Sequence, residues 1–209
     1  EMAKEAIGYD RFLAEEQPKA RAEGRHLGLG IVCYVEGTGI GPYEGAKVRV
    51  QSSGKVTLAT GIGTQGQGHF TAFAQVVAEQ LGVDVRDVEV STGDTDQFDW
   101  GVGTFASRGA VVAGSAAHEA AKVVRGKVLK LAAQHFECAE EDLVLADGKV
   151  SIAGVPGREV PLGQLAQMAN PLRGAVKPGT EPGLEATSYF GPEMGATASG
   201  VHAMVIELD

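Results

Sequence analysis

Gly61-Ile62-Gly63-Thr64-Gln65-Gly66-Gln67-Gly68-His69 stands where the periodicity of the chain changes. Before it, Ala46, Val48 and Val50 fall on one side of residues 44–51, and Lys47, Arg49 and Gln51 fall on the other. That alternation predicts a half-buried strand. Ser52-Ser53-Gly54-Lys55 is a turn, and Val56–Thr60 returns as the second strand of a hairpin. After the loop, Phe73, Val76, Val77, Gln80 and Leu81 share one helical face over about 70–81, and Gly82 supplies the stop. The glycine loop is therefore a strand-to-helix junction. Glycines there let backbone amides approach a ligand, and a helix N-terminus favours negative charge.

A second stretch repeats the design. Gly101-Val102-Gly103-Thr104-Phe105-Ala106-Ser107-Arg108-Gly109 leads into a long helix predicted over about 105–136. Ala110, Ala113, Gly114, Ala117 and Ala121 form a stripe of small residues along its first half, so another element can pack there at short range. The stripe then enlarges to Val124, Val128 and Leu131.

Working outward, residues 28–36 and 85–91 read as strands, with a glycine-rich break at 37–42 and a polar turn at Gly93-Asp94-Thr95-Asp96. Residues 143–152 suggest a hairpin around Asp147-Gly148, and 162–168 a short helix. Residues 170–183 read as a surface loop, and 186–190 and 201–208 as strands. Residues 1–25 are expected to form a helix over about 2–16 and a linker containing Pro18, with one domain over 26–209. Hairpins mixed with helices predict an α+β fold, a mixed sheet of hairpins packed on two main helices at about 70–81 and 105–136. The apolar strand running to the last residue suggests a segment of a longer protein.

Composition narrows the function. A net charge of −9 with no Lys/Arg stripe argues against a nucleic-acid groove. No apolar run approaches the ~20 residues that span a bilayer, and no signal sequence opens the chain; a cytoplasmic location is expected from the cysteine usage. Cys33 and Cys138 lie far apart, and two reduced, mostly buried thiols are expected. Thirty of 209 residues are glycine, about twice the ~7% of average usage, and they are clustered rather than periodic.

Gly61-x-Gly63-x-x-Gly66 matches the dinucleotide fingerprint. Against a nicotinamide site stand the hairpin before the loop, the polar Thr64, Gln65, Gln67 and His69, and the lack of a regular βα repeat. What survives is a donor-rich pair of loops, with Gln67, His69 and Thr71 in one and Thr104, Ser107 and Arg108 in the other. Such a pair suits a ligand with several phosphates, or with phosphate and a polar heterocycle. Two tight turns with ordinary helix caps explain the same residues.

The run from Gly61 to Gln75 resembles the Gly-Gln-Gly-His loop and helix of the molybdenum hydroxylases, which include xanthine dehydrogenase, aldehyde oxidase and the aerobic carbon monoxide dehydrogenase large subunit. Other motifs fall in the same order: Tyr34-Val35-Glu36, Gly41-Pro42-Tyr43-Glu44, Gly93-Asp94-Thr95-Asp96, Gly103-Thr104-Phe105-Ala106-Ser107-Arg108, Ser188-Tyr189-Phe190, and Val201 to Glu207. The resemblance covers about residues 25–209. It implies a molybdopterin cofactor, in the cytosine dinucleotide form. Gln65, Gly66, Gln67, Gly68 and His69 would contact its pyrophosphate region, and Gly103, Thr104, Ser107 and Arg108 would lie along it. Gly109 and Ala110 depart from the family's hydroxyl residues and leave only backbone amides there.

The family's catalytic glutamate belongs to a C-terminal glycine-rich motif that this sequence lacks, and Glu193 and Glu207 read as surface or strand residues. The resemblance thus implies a cofactor-binding portion, a domain fragment with no catalytic residue and no metal ligand of its own. It would be inactive and without cofactor in isolation. Its partners would be the rest of the large subunit and iron–sulfur and flavin subunits or domains. The parent enzyme would oxidise carbon monoxide or hydroxylate an aldehyde or N-heterocycle with water. A stand-alone nucleotide- or anion-binding module without catalysis is the other reading.

Overall fold

The structure, a computed structural model, describes residues 1–173, 176, 179 and 181–208. The chain divides into two compact units, Glu1–Gly37 with the chain from Ala196 on, and Thr38–Gly195. Residues 1–25 therefore stand in one unit with a pair of strands.

In the first unit, α1 (Met2–Ile7) ends at Gly8, whose φ of 65° is a left-handed stop. α2 (Tyr9–Arg11), a π turn at Phe12–Glu16 and α3 (Gln17–Ala22) follow. The expected linker after residue 16 is thus helix to Ala22. Gln17 N–H bonds back to Phe12 C=O, and this wider turn just ahead of Pro18 accommodates the ring in the first turn of α3. Strand β1 (His26–Thr38) then starts in this unit and pairs with the last strand, β9 (Ala196–Leu208), in a two-stranded sheet. Gly200 lies against the Tyr34 ring with no room for a Cβ, and Tyr34 stacks on His202 at 5.4 Å. Cys33 is exposed and Cys138 half-buried, so the expectation of two mostly buried thiols fails; a two-stranded ribbon offers β1 little cover.

The second unit holds the core. Strands β2 (Glu44–Val50), β3 (Val56–Thr60) and β4 (Val88–Thr92) follow, with α4 (His69–Leu81) between β3 and β4. A π turn at Gly109–Gly114 runs into α5 (Ser115–Phe136). Strands β5 (Leu143–Ala146), β6 (Lys149–Ile152) and β7 (Glu159–Pro161), helix α6 (Leu162–Met168) and β8 (Glu185–Phe190) complete it. The main sheet has the order β4-β3-β2-β8, and β5-β6-β7 form another. The fold class is α+β, as expected, but among the described residues its strands make three sheets. Asp147 and Gly148 at φ 52° and 71° turn the β5–β6 hairpin. The expected loop at 170–183 lies partly outside the described residues; Pro171–Arg173 within it is a short 3₁₀ turn.

β2 and β3 pair antiparallel in the register Ala46↔Thr60 and Val48↔Leu58, which confirms the hairpin. The other edge of β3 pairs parallel with β4, Val56↔Val88 to Thr60↔Thr92. β3-α4-β4 is therefore a βαβ unit, contrary to the expectation that the hairpin excludes one. A central strand has two edges, and the hairpin uses only the first. α4 lies on β3 and β4, and α5 lies on β2, β8 and α4. Ala46, Val48, Leu58, Phe73, Val77, Ala113, Ala117, Ala121, Val124 and Val128 are buried together. Ala110 is exposed, because the π turn shifts the helical phase before α5 begins.

Candidate functional site

The parallel pairing of β3 and β4 decides where the loops meet. Both strands end at the same edge of the sheet, so the loop after β3 (residues 61–68) and the stretch after β4 (93–108) leave from one side. β2 and β8 run antiparallel to each other, which brings the start of β2 and the end of β8 to that edge as well. Ligands of open sheets with parallel strands bind outside such carboxyl ends.

The two loops touch. A Cβ on Gly61 would collide with Trp100 C=O and Gly101 Cα, and a Cβ on Gly101 would collide with Gly61. Thr104 Oγ1 donates to Gly63 C=O, and Thr92 Oγ1 donates to Thr64 Oγ1 at 3.2 Å. The sequence made these loops a pair by likeness; the structure makes them neighbours.

At the tip of the first loop, Gln65, Gly66, Gln67 and Gly68 are exposed. Gly66 and Gly68 have φ 99° and 80°, a left-handed backbone that glycine adopts readily. Gly68 caps α4 without a side-chain hydrogen bond, so the N-cap residue supplies no acceptor to the amides of the first turn. Gln67 Oε1 accepts from Gln65 N–H at 2.6 Å, which fixes the Gln67 carboxamide across the loop and leaves its nitrogen as donor.

His69 is placed differently from the tip residues. It is buried, stacks on Phe73 at 4.9 Å, and shares a 3.3 Å hydrogen bond between Nδ1 and Thr64 Oγ1. Burial lowers its pKa from the ordinary imidazole value. A Cβ on Gly109 would come within 2.6 Å of His69 Nε2, so glycine at 109 makes room for this ring. His69 thus packs beneath the start of the helical stretch that follows the second loop.

Arg108 is also inside. Neither it nor Glu44 exposes any side chain. Arg108 Nη1 donates to Glu44 Oε1 at 2.5 Å and to Gly103 C=O at 2.8 Å, Nη2 donates to Pro42 C=O, and the guanidinium lies 5.0 Å from the Phe105 ring centroid. The sequence placed Arg108 along a ligand; in the structure both of its Nη groups donate to the protein. Gly103 and Thr104 are half-buried, and Ser107 is exposed with φ 50° next to Ala106 at 48°.

Sequence reasoning passed over Glu44 as a site residue. The signal was present: Glu44 shares the period-two face of Ala46, Val48 and Val50, and a charge on a core-facing position needs a buried partner. It also passed over the aromatic edge. Tyr43 stacks on Trp100 at 5.2 Å and meets Tyr189 edge-on at 5.7 Å, beside a cleft of about 540 Å³ lined by Gly41, Tyr43, Tyr189, Gly191 and Pro192. Among the described residues, no group of three or more His, Cys, Asp or Glu side chains gathers as a metal site, and no helix is long and apolar enough to cross a membrane.

Two apposed glycine loops and a helix N-terminus meet at the carboxyl edge of a parallel strand pair, the kind of place where anionic groups are favoured. The chain belongs to the molybdopterin cofactor-binding domain family, whose model matches residues 2–209. It is similar to the nicotine 6-hydroxylase large subunit of Paenarthrobacter nicotinovorans, 35% identical over 99% of this chain and 27% of the relative. It is also similar to the carbon monoxide dehydrogenase large chain of Afipia carboxidovorans, 30% identical over 99% of this chain and 27% of the relative. The crystal structure of quinoline 2-oxidoreductase from Pseudomonas putida 86 superposes with a TM-score of 0.83 at 36% identity, covering 100% of this chain and 28% of that one. The chain therefore spans about a quarter of the length of these relatives.

Proposed function

We propose that this chain is the cofactor-gripping portion of a molybdenum hydroxylase large subunit, and that residues 26–209 form a partial molybdopterin-binding domain completed by the rest of that subunit. The observation that carries the reading is the exposed tip at Gln65–Gly68 ahead of a helix start that no side chain caps. The donors proposed for the pyrophosphate of a molybdopterin dinucleotide are the backbone amides of the exposed tip at Gly66–Gly68 and the Gln67 carboxamide nitrogen, with Gly103, Thr104 and Ser107 lining the approach from the neighbouring loop. The cytosine dinucleotide is the form proposed, after the bacterial members of the family that the sequence resembles. His69 and Arg108 serve from inside, holding the loops in shape.

When bound, the cofactor supplies the redox centre at which carbon monoxide is oxidised or an aldehyde or N-heterocycle is hydroxylated with water. This chain binds and orients it. The acid–base group comes from another part of the large subunit. Glu207 pairs with Arg25 at 3.3 Å on β9, and Glu193 is exposed. Electrons leave through iron–sulfur and flavin partners, in a cytoplasmic complex.

The isolated chain is expected to show no turnover with an aldehyde, an N-heterocycle or carbon monoxide; measurable turnover by the chain alone would sink this reading. In the full large subunit, Gly68→Val is expected to lower pterin content per subunit severalfold, because a β-branched residue strains at φ 80° and would shift the loop tip ahead of the helix. Unchanged pterin content removes the first loop from the site.

A further inference from the structure

Glu44 opens β2 on its core-facing side, and its carboxylate reaches the second loop rather than a ligand. Oε1 accepts from Val102 N–H at 2.9 Å, from Gly103 N–H at 3.2 Å and from Arg108 Nη1 at 2.5 Å. Arg108 returns to the same loop through Gly103 C=O and to residues 39–43 through Pro42 C=O. Gly103 is thus held at both ends of its polar backbone, its N–H by the acid and its C=O by the base. The restraint has something to hold. Ala106 and Ser107 sit consecutively at φ 48° and 50°, a conformation that L residues avoid unless their surroundings impose it.

Among the described residues, Glu44 Oε2 and Arg108 Nε have no hydrogen-bond partner. A buried ion pair left partly unsatisfied is a poor device for stability alone, and apolar pairs of similar volume often serve that end as well. An apolar pair cannot grip two backbone amides and two carbonyls.

We propose that Glu44 is the positioning residue of the second loop. It fixes the Val102–Gly103 amides directly and the turn at Ser107 through Arg108, and by doing so it governs how long an anionic cofactor stays on the paired loops. Glu44 itself does not touch the cofactor. The inference rests on the cofactor reading above and adds to it a residue that acts from within the core.

The test uses Glu44→Gln, Glu44→Asp and the double variant Glu44→Gln with Arg108→Gln. In the 209-residue chain, hydrogen exchange at residues 102–108 is measured. In the full large subunit, the rate of pterin loss is measured. Glu44→Gln is expected to speed exchange at Val102 and Gly103 about tenfold or more, the scale of losing a charge-assisted hydrogen bond, and to speed pterin loss. Glu44→Asp keeps the charge but withdraws it by one methylene and is expected to act in the same direction, so the test survives if the glutamine variant does not fold. The double variant restores a neutral donor–acceptor pair and is expected to recover part of both losses.

Val128→Ala, a core change on α5, serves as the control for lowered stability without loop damage, and its pterin loss is expected to match wild type. Wild-type exchange at 102–103 in both Glu44 variants overturns the proposal. So does faster exchange with wild-type pterin loss while Gly68→Val loses pterin. If Gly68→Val also retains pterin, the cofactor reading falls and this proposal falls with it.

Discussion

His69 is the residue whose role changes most between sequence and structure. Its type and place, at the end of Gln65-Gly66-Gln67-Gly68, suggest a donor to a ligand; its environment is the Phe73 ring, Thr64 and the backbone of Gly109. Burial depresses its pKa below the unfolded value near 6.5. The folded protein therefore resists protonation, so the stabilising contribution is complete above the unfolded pKa and is lost as pH falls through the lower folded pKa. Thermal midpoints of wild type and His69→Gln should converge as pH drops from about 7 toward 5, and a constant gap would contradict a buried neutral imidazole. Gly61 makes a second prediction at this scale. A Cβ there meets the backbone of Trp100 and Gly101, which cannot swing aside as a side chain would. Gly61→Ala should cost about 1–3 kcal/mol in chemical denaturation, the scale of overpacking, and should disturb both loops together.

Among the elements, α5 shows how small residues allow close packing. Ala113, Ala116, Ala117, Ala120 and Ala121 are buried against β2, β8 and α4, and Gly114 lies within reach of the Phe73 ring. Ala117→Leu should therefore destabilise by about 1–3 kcal/mol. Gly126 is on the exposed side of the same helix with nothing within 4 Å of an added Cβ. Gly126→Ala should raise stability by about 0.5–1 kcal/mol, read as a higher denaturation midpoint at unchanged slope. A loss of stability at 126 would mean that the exposed face of α5 is in contact with something.

Over the whole molecule, the strand pair β1–β9 carries apolar side chains into solvent: Ile31, Val32, Tyr34, Val35, Val201, Met204, Val205, Ile206 and Leu208 are all exposed. A two-stranded ribbon is marginal by itself, and an exposed apolar surface of this kind invites a partner. The rest of a large subunit is the partner that the proposed function supplies. In the isolated chain the same surface is expected to drive self-association. Sedimentation velocity should show concentration-dependent growth that Ile31→Lys with Val205→Lys suppresses; a monomer at every concentration, in wild type, counts against it.

Sequence alone determined the features that live within one element or one turn. The Ala46-Val48-Val50 alternation, the helix after the glycine loop, the Asp147-Gly148 hairpin and the small-residue stripe of α5 were all legible, because side-chain period and backbone freedom are local properties. The likeness of the loops at 61–68 and 101–108 was legible for the same reason. Tertiary structure alone decided that β3 gives its second edge to β4 in parallel, and that pairing brings both loops to one edge of the sheet. It also decided that Arg108 turns inward to Glu44, 64 positions away, and that His69 lies under Gly109. Those outcomes depend on which strand edges meet and which charges find partners once water is excluded, and no window of sequence contains both members of such a pair.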